Sequence, residues 1–343
     1  MIIAYTLCSV NYFAQAHTLG ESLQRLNPDI KFVIGVVDKL DDKDLDESII
    51  PPFDLLEVHR INIEDFAGMC NRYDITELNT AVKPYYMKYF FDTYAAAEAV
   101  IYFDPDIIIY DDLSELKTNL RQHNIVLTPH ITTPYNDNKW QSESDLVKTG
   151  VYNLGFIGVG RSDESIRFVE WWMEKLKYGA KIDLCDGLFT DQHWIDLVPI
   201  FFKNVHIDYD LGYNVAYWNL HERTCSNENG TWRINKTFDL HFFHYSGYSP
   251  FKPEIVSKYQ DRIQFNERPD IASLFEIYKK SLLKNHQEYW QTIPCFYIKP
   301  RKMYRFLRIR KIFKYPFEKL ITMLTKQQTL APSGGRLGGG GGL

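Results

Sequence analysis

Short apolar runs alternate with amphipathic segments in the first part of the chain. Residues 2–7 and 31–37 are apolar runs typical of buried strands. Between them, residues 17–25 place Leu19 and Leu23 near one face of a helix. This order of strand, helix and strand predicts a parallel sheet with helices on its faces, and ligands bind at the carboxyl ends of the strands in such sheets.

The same periodicities continue along the chain. They predict an α/β, Rossmann-like fold with a mixed, mostly parallel sheet flanked by helices, followed by a C-terminal helical extension. Pro84 requires the helix around it to begin near Lys83, because proline fits only the first turn of a helix. The further predicted elements are a strand that ends at Asp104, strands at 55–61, 125–127, 155–159, 205–207 and 240–244, and helices at 83–94, 162–177 and 271–289.

Composition places the chain among globular proteins with a substantial core. It has 343 residues, of which 45% are hydrophobic and 15% aromatic, enough for one large domain with a small appendage. The net charge is -5, but residues 299–326 contain ten basic residues against one acidic residue. A mildly acidic body therefore ends in a strongly basic tail.

The cysteines and the start of the chain bear on its compartment. Five cysteines with wide gaps and no Cys-x-x-Cys pair argue against a disulfide framework and against a zinc site. The chain opens on an apolar strand, and it contains neither a secretory signal pattern nor about 18 consecutive apolar residues. We therefore expect a cytoplasmic protein in a reducing compartment.

Two carboxylates, Asp104 and Asp106, emerge from the end of an apolar, β-branched run. Residues i and i+2 of an extended segment point the same way, so both side chains can share one cation, and Pro105 stops the strand. Charges at the end of a buried strand must be paired or must coordinate a metal. The spacing alone is weak evidence, because Asp42/Asp44, Asp44/Asp46 and Asp208/Asp210 share it. The position at the end of a buried-looking strand predicts a metal site for a nucleoside diphosphate, and a solvated pair of acids is the alternative.

Four short blocks along the chain carry a family resemblance. They are Val-Ile-Tyr-Phe-Asp-Pro-Asp at 100–106, Tyr-Asn-Leu-Gly-Phe-Ile at 152–157, Thr-Asp-Gln-His at 190–193 and His-Tyr-Ser-Gly at 244–247. In this order they resemble the blocks of GT-A glycosyltransferases, and among these the retaining glycogenin-like and bacterial galactosyltransferase-like group often called family 8. The resemblance covers residues 2–253.

The resemblance implies a hexosyltransferase with a catalytic domain at 1–260 and a helical extension at 261–298. The donor would be a nucleoside diphosphate sugar, with a UDP-hexose favoured, and the cofactor would be Mn²⁺ or Mg²⁺. The acceptor would be a glycan or a lipid-linked glycan, in the synthesis of a surface polysaccharide or glycolipid. Retention needs no dedicated base, because the departing phosphate can take the acceptor's proton; an inverting enzyme would need one, with Asp191 or Asp186 as the first candidates.

The resemblance also implies roles for individual residues. Asp104, Asp106 and His244 would bind the metal, with His241 as a rival to His244. Three polar residues would act near the transferred sugar, namely Asn153, Asp191 and Gln192. The donor nucleotide would contact Thr6, Asp38, Lys83, Asp104, Gly247 and Lys252.

Structural roles remain open for several of these residues. Lys83 could be an ordinary solvated lysine, and Asp191 could cap the helix-like segment at 193–197. Members of the family often have Lys-Pro-Trp after the glycine, whereas here a longer loop separates Gly247 from Lys252. The segment at 212–223 has no counterpart in the well-known members, and we expect exposed aromatic residues at 213–218 to line an acceptor groove.

The basic tail at 299–327 mixes cations with aromatic and aliphatic side chains. This mixture suits an anionic membrane surface and predicts peripheral attachment to the inner face of the membrane. A solvated helix that packs on the enzyme is the alternative. Nucleic acid is not an expected partner, because the chain has no recognisable nucleic-acid-binding module and its body is acidic. Residues 328–343 form a low-complexity linker or a cloning scar.

A catalytically silent module that binds a nucleotide sugar or a glycan is the alternative to an enzyme. The joint presence of Asp104, Asp106, His244 and the Asp191-Gln192 pair favours the enzyme, because a degenerate site would have lost some of them. A metal-dependent phosphohydrolase is disfavoured, because the sequence shows no second carboxylate-histidine cluster of the kind that paired metals need.

Overall fold

A twisted sheet of seven strands, six of them parallel, organises residues 1–298, the part of the chain that the computed structural model describes. The strands of this part are β1 (Ile2–Cys8), β2 (Ile30–Val36), β3 (Asp54–Glu57), β4 (Ala99–Phe103), β5 (Ile107–Ile109), β6 (Ile125–Leu127), β7 (Phe156–Gly160), β8 (Ile182–Asp183), β9 (Leu188–Phe189), β10 (Val205–Ile207), β11 (Cys225–Glu228), β12 (Thr231–Ile234), β13 (Phe238–Asp239) and β14 (Phe242–His244). The helices are α1 (Phe13–Leu26), α2 (Phe66–Arg72), α3 (Ile75–Ala81), α4 (Lys83–Thr93), α5 (Ser114–Gln122), α6 (Glu143–Thr149), α7 (Asp163–Gly179), α8 (Val198–Phe201), α9 (Ala272–Lys284) and α10 (Gln287–Trp290).

The order of the strands in the main sheet is β10-β6-β7-β4-β1-β2-β3. Only β7 runs antiparallel, between β4 and β6. The central strand β1 is buried along its whole length, which explains why its sequence is a continuous apolar run rather than an alternating one. The predicted α/β fold with a mixed, mostly parallel sheet flanked by helices is confirmed.

Two hydrophobic cores lie on the two faces of the sheet. Residues Ile2 and Ala4 of β1 belong to the core that also contains residues of α1 and α9. Ile3 and Tyr5 point the other way, into the core that contains residues of α4 and α7. Side chains that alternate along β1 therefore pack against helices on both faces of the sheet.

Several element boundaries differ from the predictions. The third strand ends at Glu57, and a 3₁₀ turn continues it to Arg60. The helix predicted at 271–289 is broken between α9 and α10, where His286 has a φ of 62°. The strand predicted at 240–244 is shorter, and as β14 it pairs with β5 outside the main sheet.

The C-terminal part of the described chain is helical and packs on the body. Asn285 Nδ2, after α9, donates a hydrogen bond to Thr18 Oγ1 of α1 at 3.0 Å, and the Trp290 ring packs edge-on against Phe13. Residues Met1–Ile298 form one compact unit. None of the helices in this unit has the length and apolar character needed to cross a bilayer. The predicted membrane tail at 299–327 and the linker at 328–343 lie outside the described residues.

Candidate metal and donor site

Asp104, Asp106 and His244 come together at the carboxyl end of β4. Strand β14 pairs antiparallel with β5 so that His244 lies opposite Ile107, next to Asp106. His244 Nε2 lies 3.1 Å from Asp106 Oδ1 and 3.7 Å from Asp104 Oδ2. One ligand atom from each of the three residues fits within a 4.8 Å spread. The pairing of β5 with β14 therefore brings together residues that are far apart in sequence.

The rival ligand His241 lies elsewhere. Its ring stacks on Tyr213, and its Nδ1 donates a hydrogen bond to the Asp112 carbonyl at 3.2 Å. The charged group beside it is Asp111, at 3.8 Å. Of the two histidines, the structure brings His244 to the paired carboxylates.

Electrostatics around the three side chains fit a divalent cation. Burial opposes a charge on His244, but the carboxylates of Asp106 and Asp104 outweigh it, so the pKa of His244 is raised. Burial would raise the pKa of Asp106, but the imidazolium of His244 outweighs it, so that pKa is lowered. Two carboxylates and an imidazole are a donor set that Mn²⁺ or Mg²⁺ accepts, with the nitrogen better suited to Mn²⁺.

Lys83 connects this cluster to Asp191. Its ammonium is 2% exposed and lies 2.9 Å from Asp191 Oδ2 and 3.6 Å from Asp104 Oδ1, and it donates a hydrogen bond to the Leu154 carbonyl at 2.8 Å. Burial opposes its charge, yet Asp104 and Asp191 outweigh it, so the pKa of Lys83 is raised. Burial raises the pKa of the Asp191 carboxyl even though Lys83 lies beside it. A solvated surface lysine is thus excluded at this position.

Tyr102 is a member of the site that the sequence analysis missed. Its hydroxyl donates a hydrogen bond to Asp104 Oδ1 at 2.6 Å, and the Lys83 ammonium lies 4.2 Å from the centre of its ring. Tyr102 stands two residues before Asp104 on β4. The period of two along a strand was a signal that could have placed both side chains on one side.

Asn153 and Gln192 lie in one buried hydrogen-bond network. Asn153 Nδ2 donates to His130 Nε2 at 3.1 Å, and Gln192 Oε1 accepts from the Leu154 amide at 3.1 Å. Gln192 Nε2 donates to the Thr149 carbonyl at 2.8 Å. His130 was not predicted, because it has no periodic or sequential relation to the four recognised blocks.

Thr6 and Asp38, at the first two strands, are fully buried. The carboxylate of Asp38 accepts hydrogen bonds from the amides of Val10 at 3.3 Å and Phe296 at 2.8 Å, and the ammonium of Lys43 lies 3.3 Å away. These contacts give Asp38 a structural role, and its contact with a base or ribose stays a prediction, as does that of Thr6.

The loop after His244 carries a second lysine, Lys258, whose backbone is hydrogen-bonded to Gly247. Gly247 has a φ of 75°, and an added Cβ would lie 2.5 Å from Ser257 Oγ. The Gly247 carbonyl accepts a hydrogen bond from the Lys258 amide at 3.2 Å. The charge of Lys258 also contributes to lowering the pKa of Asp106. Lys252 and Lys258 are both exposed, and the contact of Lys252 with the phosphates stays a prediction.

The aromatic residues at 213–218 do not line an open groove. Tyr213, Tyr217 and Trp218 are 1%, 7% and 3% exposed. The expectation of exposed aromatic side chains is therefore wrong. They are buried because this segment packs behind His244, with the Trp218 ring 5.1 Å from the imidazole.

Two relatives in Bacillus subtilis strain 168 are similar in sequence. The uncharacterized protein YfnF is 26% identical over 284 residues, which span 82% of this chain and 92% of YfnF. The uncharacterized protein YfnD is 26% identical over 170 residues, which span 49% of this chain and 52% of YfnD. No family model matches the chain.

Solved structures to which the chain is similar include two bacterial-type sugar transferases. The galactosyltransferase LgtC, in complex with donor and acceptor sugar analogs, is 17% identical, with a TM-score of 0.45 over 82% of this chain and 96% of LgtC. The glycosyltransferase GlyE of Streptococcus pneumoniae TIGR4 is 14% identical, with a TM-score of 0.46 over 84% of this chain and 64% of GlyE. The chain resembles glycosyltransferases in structure.

Proposed function

We propose that this protein is a metal-dependent glycosyltransferase. It moves a hexose, with retention, from a nucleoside diphosphate donor, a UDP-hexose being favoured, to a glycan or lipid-linked acceptor. The observation that carries the proposal is the convergence of Asp104, Asp106 and His244 with the buried Lys83–Asp191 pair. A metal-ligand set beside a buried cation suits a substrate with a diphosphate and a sugar.

The chemistry requires stabilisation of the leaving pyrophosphate. Asp104, Asp106 and His244 would hold Mn²⁺ or Mg²⁺, which supplies Lewis-acid stabilisation of phosphate charge when bound. Lys83 keeps its positive charge in a place of low exposure, where an electrostatic interaction is stronger than in water. It therefore holds Asp191 and Asp104 in fixed positions for the incoming donor.

The polar network deeper in the site is proposed to contact the sugar. Gln192 Oε1 accepts hydrogen bonds from Asn153 Nδ2 at 3.5 Å and from the Leu154 amide at 3.1 Å. These bonds orient the side-chain amides of Asn153 and Gln192 before a donor binds. Asp191 lies beside Lys83, near the proposed position of the anomeric carbon. In a retaining reaction the departing phosphate takes the acceptor proton; if the reaction inverts instead, Asp191 is the first candidate for the base and Asp186 the second.

The donor's remaining contacts are also proposals. We assign Thr6 and Asp38 to the base and ribose, and Gly247 with Lys252 to the phosphates. Lys258, whose amide donates to the Gly247 carbonyl at 3.2 Å, is an additional phosphate ligand in this proposal. We assign catalysis to residues 1–260.

The tail at 299–327 is proposed to attach the protein to the anionic inner face of the membrane. Ten basic residues lie in the tail, and each basic residue near an anionic surface can contribute about 1 kcal/mol. The acceptor would then be a lipid-linked glycan, in the synthesis of a surface polysaccharide or glycolipid.

The first test is a panel of nucleotide sugars incubated with the full chain and Mn²⁺, with release of nucleoside diphosphate as the readout. We expect release from one donor, lost with a chelator and in Asp106→Ala. The exposed Asp44, which has the same spacing to its neighbouring acids, provides the control variant Asp44→Ala with unchanged release. Thermal stabilisation by a nucleotide sugar without any release, with and without candidate acceptors, would instead favour the catalytically silent module.

A further inference from the structure

The turn at residues 214–219, here named the rear turn, has no role so far and lies behind the proposed site. Its members Asn214, Trp218 and Asn219 are 1%, 3% and 0% exposed. The Nδ2 atoms of both asparagines donate hydrogen bonds, that of Asn214 to Asn153, whereas Asn214 Oδ1 and Trp218 Nε1 have no hydrogen-bond partner among the described residues. The Trp218 ring packs on the ring of His244.

The backbone of the rear turn is attached to the strand that carries His244. Val215 forms a parallel bridge with Phe243, and its carbonyl accepts a hydrogen bond from the His244 amide at 2.8 Å. Asn219 closes the turn, because its Oδ1 accepts from the Ala216 amide at 2.9 Å and its Nδ2 donates to the Asn214 carbonyl at 3.0 Å. The turn and His244 are therefore parts of one rigid unit.

Trp218 and Gly155 lie against the ring of His244. The Trp218 and His244 ring centres are 5.1 Å apart, with the planes at 90°, an edge-to-face arrangement that aromatic rings prefer. Gly155 leaves the space that the imidazole occupies, because an added Cβ would lie 2.6 Å from His244 Nδ1. These contacts leave the ring little freedom, so that Nε2 stays directed at Asp106.

Asn214 shares the orientation of the Asn153 amide with the Gly155 amide, which donates to Asn153 Oδ1 at 3.0 Å. The φ of Asn214, 51°, lies in the left-handed region, which asparagine tolerates better than most residues. Its Nδ2 donates hydrogen bonds to Asn153 Oδ1 at 3.1 Å and to Thr128 Oγ1 at 3.0 Å. The oxygen of Asn153 is thereby turned inward, and its Nδ2 faces His130.

We propose that Trp218 and Asn214 are positioning residues of this site: Trp218 fixes the metal-binding ring of His244, and Asn214 fixes the amide of Asn153. The inference rests on the proposed function and assigns a role to the rear turn. Groups that orient a metal ligand commonly change metal affinity by about 10- to 100-fold when they are removed.

The test for Trp218 measures Mn²⁺ binding directly, by the loss of the free-ion signal in electron paramagnetic resonance. We expect Trp218→Ala to weaken Mn²⁺ binding about 10-fold, and Trp218→Phe to restore most of the affinity because an aromatic edge remains. Trp218→Leu replaces the alanine variant if the latter does not fold. The control is Trp290→Ala, which empties an equally buried site that packs on Phe13 and Tyr289 and should leave Mn²⁺ affinity unchanged.

The test for Asn214 uses Asn214→Asp, which keeps the shape but places an oxygen against Asn153 Oδ1. We expect kcat for donor turnover to fall about 10-fold, while Mn²⁺ affinity stays at the wild-type value. The control Asn229→Asp makes the same change at an exposed asparagine with a φ of 55°, and it should change neither quantity.

The outcomes separate the two proposals. If the wild-type protein does not bind Mn²⁺, the metal site of the proposed function fails, and this inference fails with it. If the wild-type protein binds Mn²⁺ but Trp218→Ala and Trp218→Leu bind it equally well, or Trp290→Ala weakens binding as much, the positioning role of Trp218 is overturned alone. An unchanged kcat in Asn214→Asp overturns the role of Asn214.

Discussion

Lys83 holds a positive charge where solvent barely reaches, between two carboxylates of the site. A buried ion pair seldom adds much net stability, because both charges lose their hydration. Removing one partner is much worse, because the other charge then remains buried and unpaired. Lys83 and Asp191 therefore depend on each other more than either contributes by itself.

We expect Lys83→Met to lower the free energy of unfolding by about 3 kcal/mol, because Asp191 loses its counter-charge. The double variant Lys83→Met with Asp191→Leu should recover much of this loss while releasing no nucleoside diphosphate. Denaturant unfolding and the donor assay measure the two effects. Lys88→Met is the control on the same helix, since its pair with Asp92 is solvent-exposed and should cost less than about 1 kcal/mol. Equal losses in Lys83→Met and Lys88→Met would contradict the prediction.

His130 should make the folded protein sensitive to acid. Burial lowers the pKa of His130 to about 4, and its Nε2 accepts a hydrogen bond from Asn153, which requires a neutral ring. Because the folded pKa lies below the unfolded value of about 6.5, the unfolded state binds the proton first as the pH falls. This group alone should cost about 2 kcal/mol of stability between pH 7 and pH 5.

The measurement is the difference in unfolding free energy between pH 7 and pH 5 in the wild type and in His130→Gln. The variant should lose less stability over this range, whatever its absolute stability. His59→Gln, at an exposed histidine, should keep the wild-type difference. A His130→Gln variant with an unchanged pH difference would show that His130 is not held neutral.

At the scale of elements, the site depends on how β5, β14 and the start of β7 meet. The Asp104 amide donates to the Gly155 carbonyl at 2.7 Å, and the Tyr245 amide donates to the Asp106 carbonyl at 2.8 Å. The backbone of the segment that carries the two carboxylates is thus held from both sides by hydrogen bonds. Gly155 also provides the space in which the imidazole of His244 lies.

We expect Gly155→Ala to displace the His244 ring, because the new Cβ would lie 2.6 Å from Nδ1 and 2.8 Å from Asn153 Oδ1. Binding of Mn²⁺ should weaken about 10-fold or more, as measured by calorimetric titration. Gly187→Ala is the control for loss of a glycine: an added Cβ there meets nothing within 4 Å, and the strain at its φ of 68° does not bear on the His244 ring. A Gly155→Ala variant with wild-type affinity would mean that the ring does not bind metal from this position.

The sequence predicted the elements whose signals are local. The strands at 125–127 and 205–207 have the predicted bounds, and the helix predicted from residue 162 begins there, with the Ser162 hydroxyl accepting from the Ser165 amide as its N-cap. The break at His286 was missed, because nothing in the residues beside it distinguishes a left-handed residue from a continuing helix. The antiparallel β7 was also not assigned, since direction in a sheet is set by contacts between distant segments.

In the site, too, residues with a local signal were predicted, and residues placed by distant contacts were not. Asp104, Asp106, His244 and Asp191 were named from recognised blocks, Lys83 was named from its place at a predicted helix start, and all five lie together. His130 and Asn214 were not assigned roles and Trp218 was assigned the wrong one, because their contacts with Asn153 and His244 follow no periodic pattern along the chain. Packing in three dimensions, rather than spacing along the chain, brings them to the site.

At the scale of the whole molecule, the basic tail separates membrane attachment from catalysis in our proposal. We expect deletion of residues 299–326 to release the protein from anionic vesicles, because the ten basic residues provide the attraction. Release of nucleoside diphosphate from the donor should persist, since the proposed site lies within residues 1–298. Vesicle sedimentation and the donor assay measure the two quantities.

Two further measurements test the membrane role of the tail. Binding of the full chain should weaken with added salt and should be absent on uncharged vesicles, as expected for an electrostatic contact. Vesicle binding that survives the deletion would contradict the membrane role of the tail.

Asp38 has a consequence for any shortened form of this protein. Its buried carboxylate accepts hydrogen bonds from the amides of Phe296 and Val10. The end of the described chain is therefore hydrogen-bonded to the residue that follows the second strand of the sheet. A truncation placed before Phe296 would remove one of these donors and open a buried acid to water beside the first strand. Expression clones that omit the basic tail should therefore stop after Ile298, since a stop only a few codons earlier would confuse a folding defect with a loss of membrane binding.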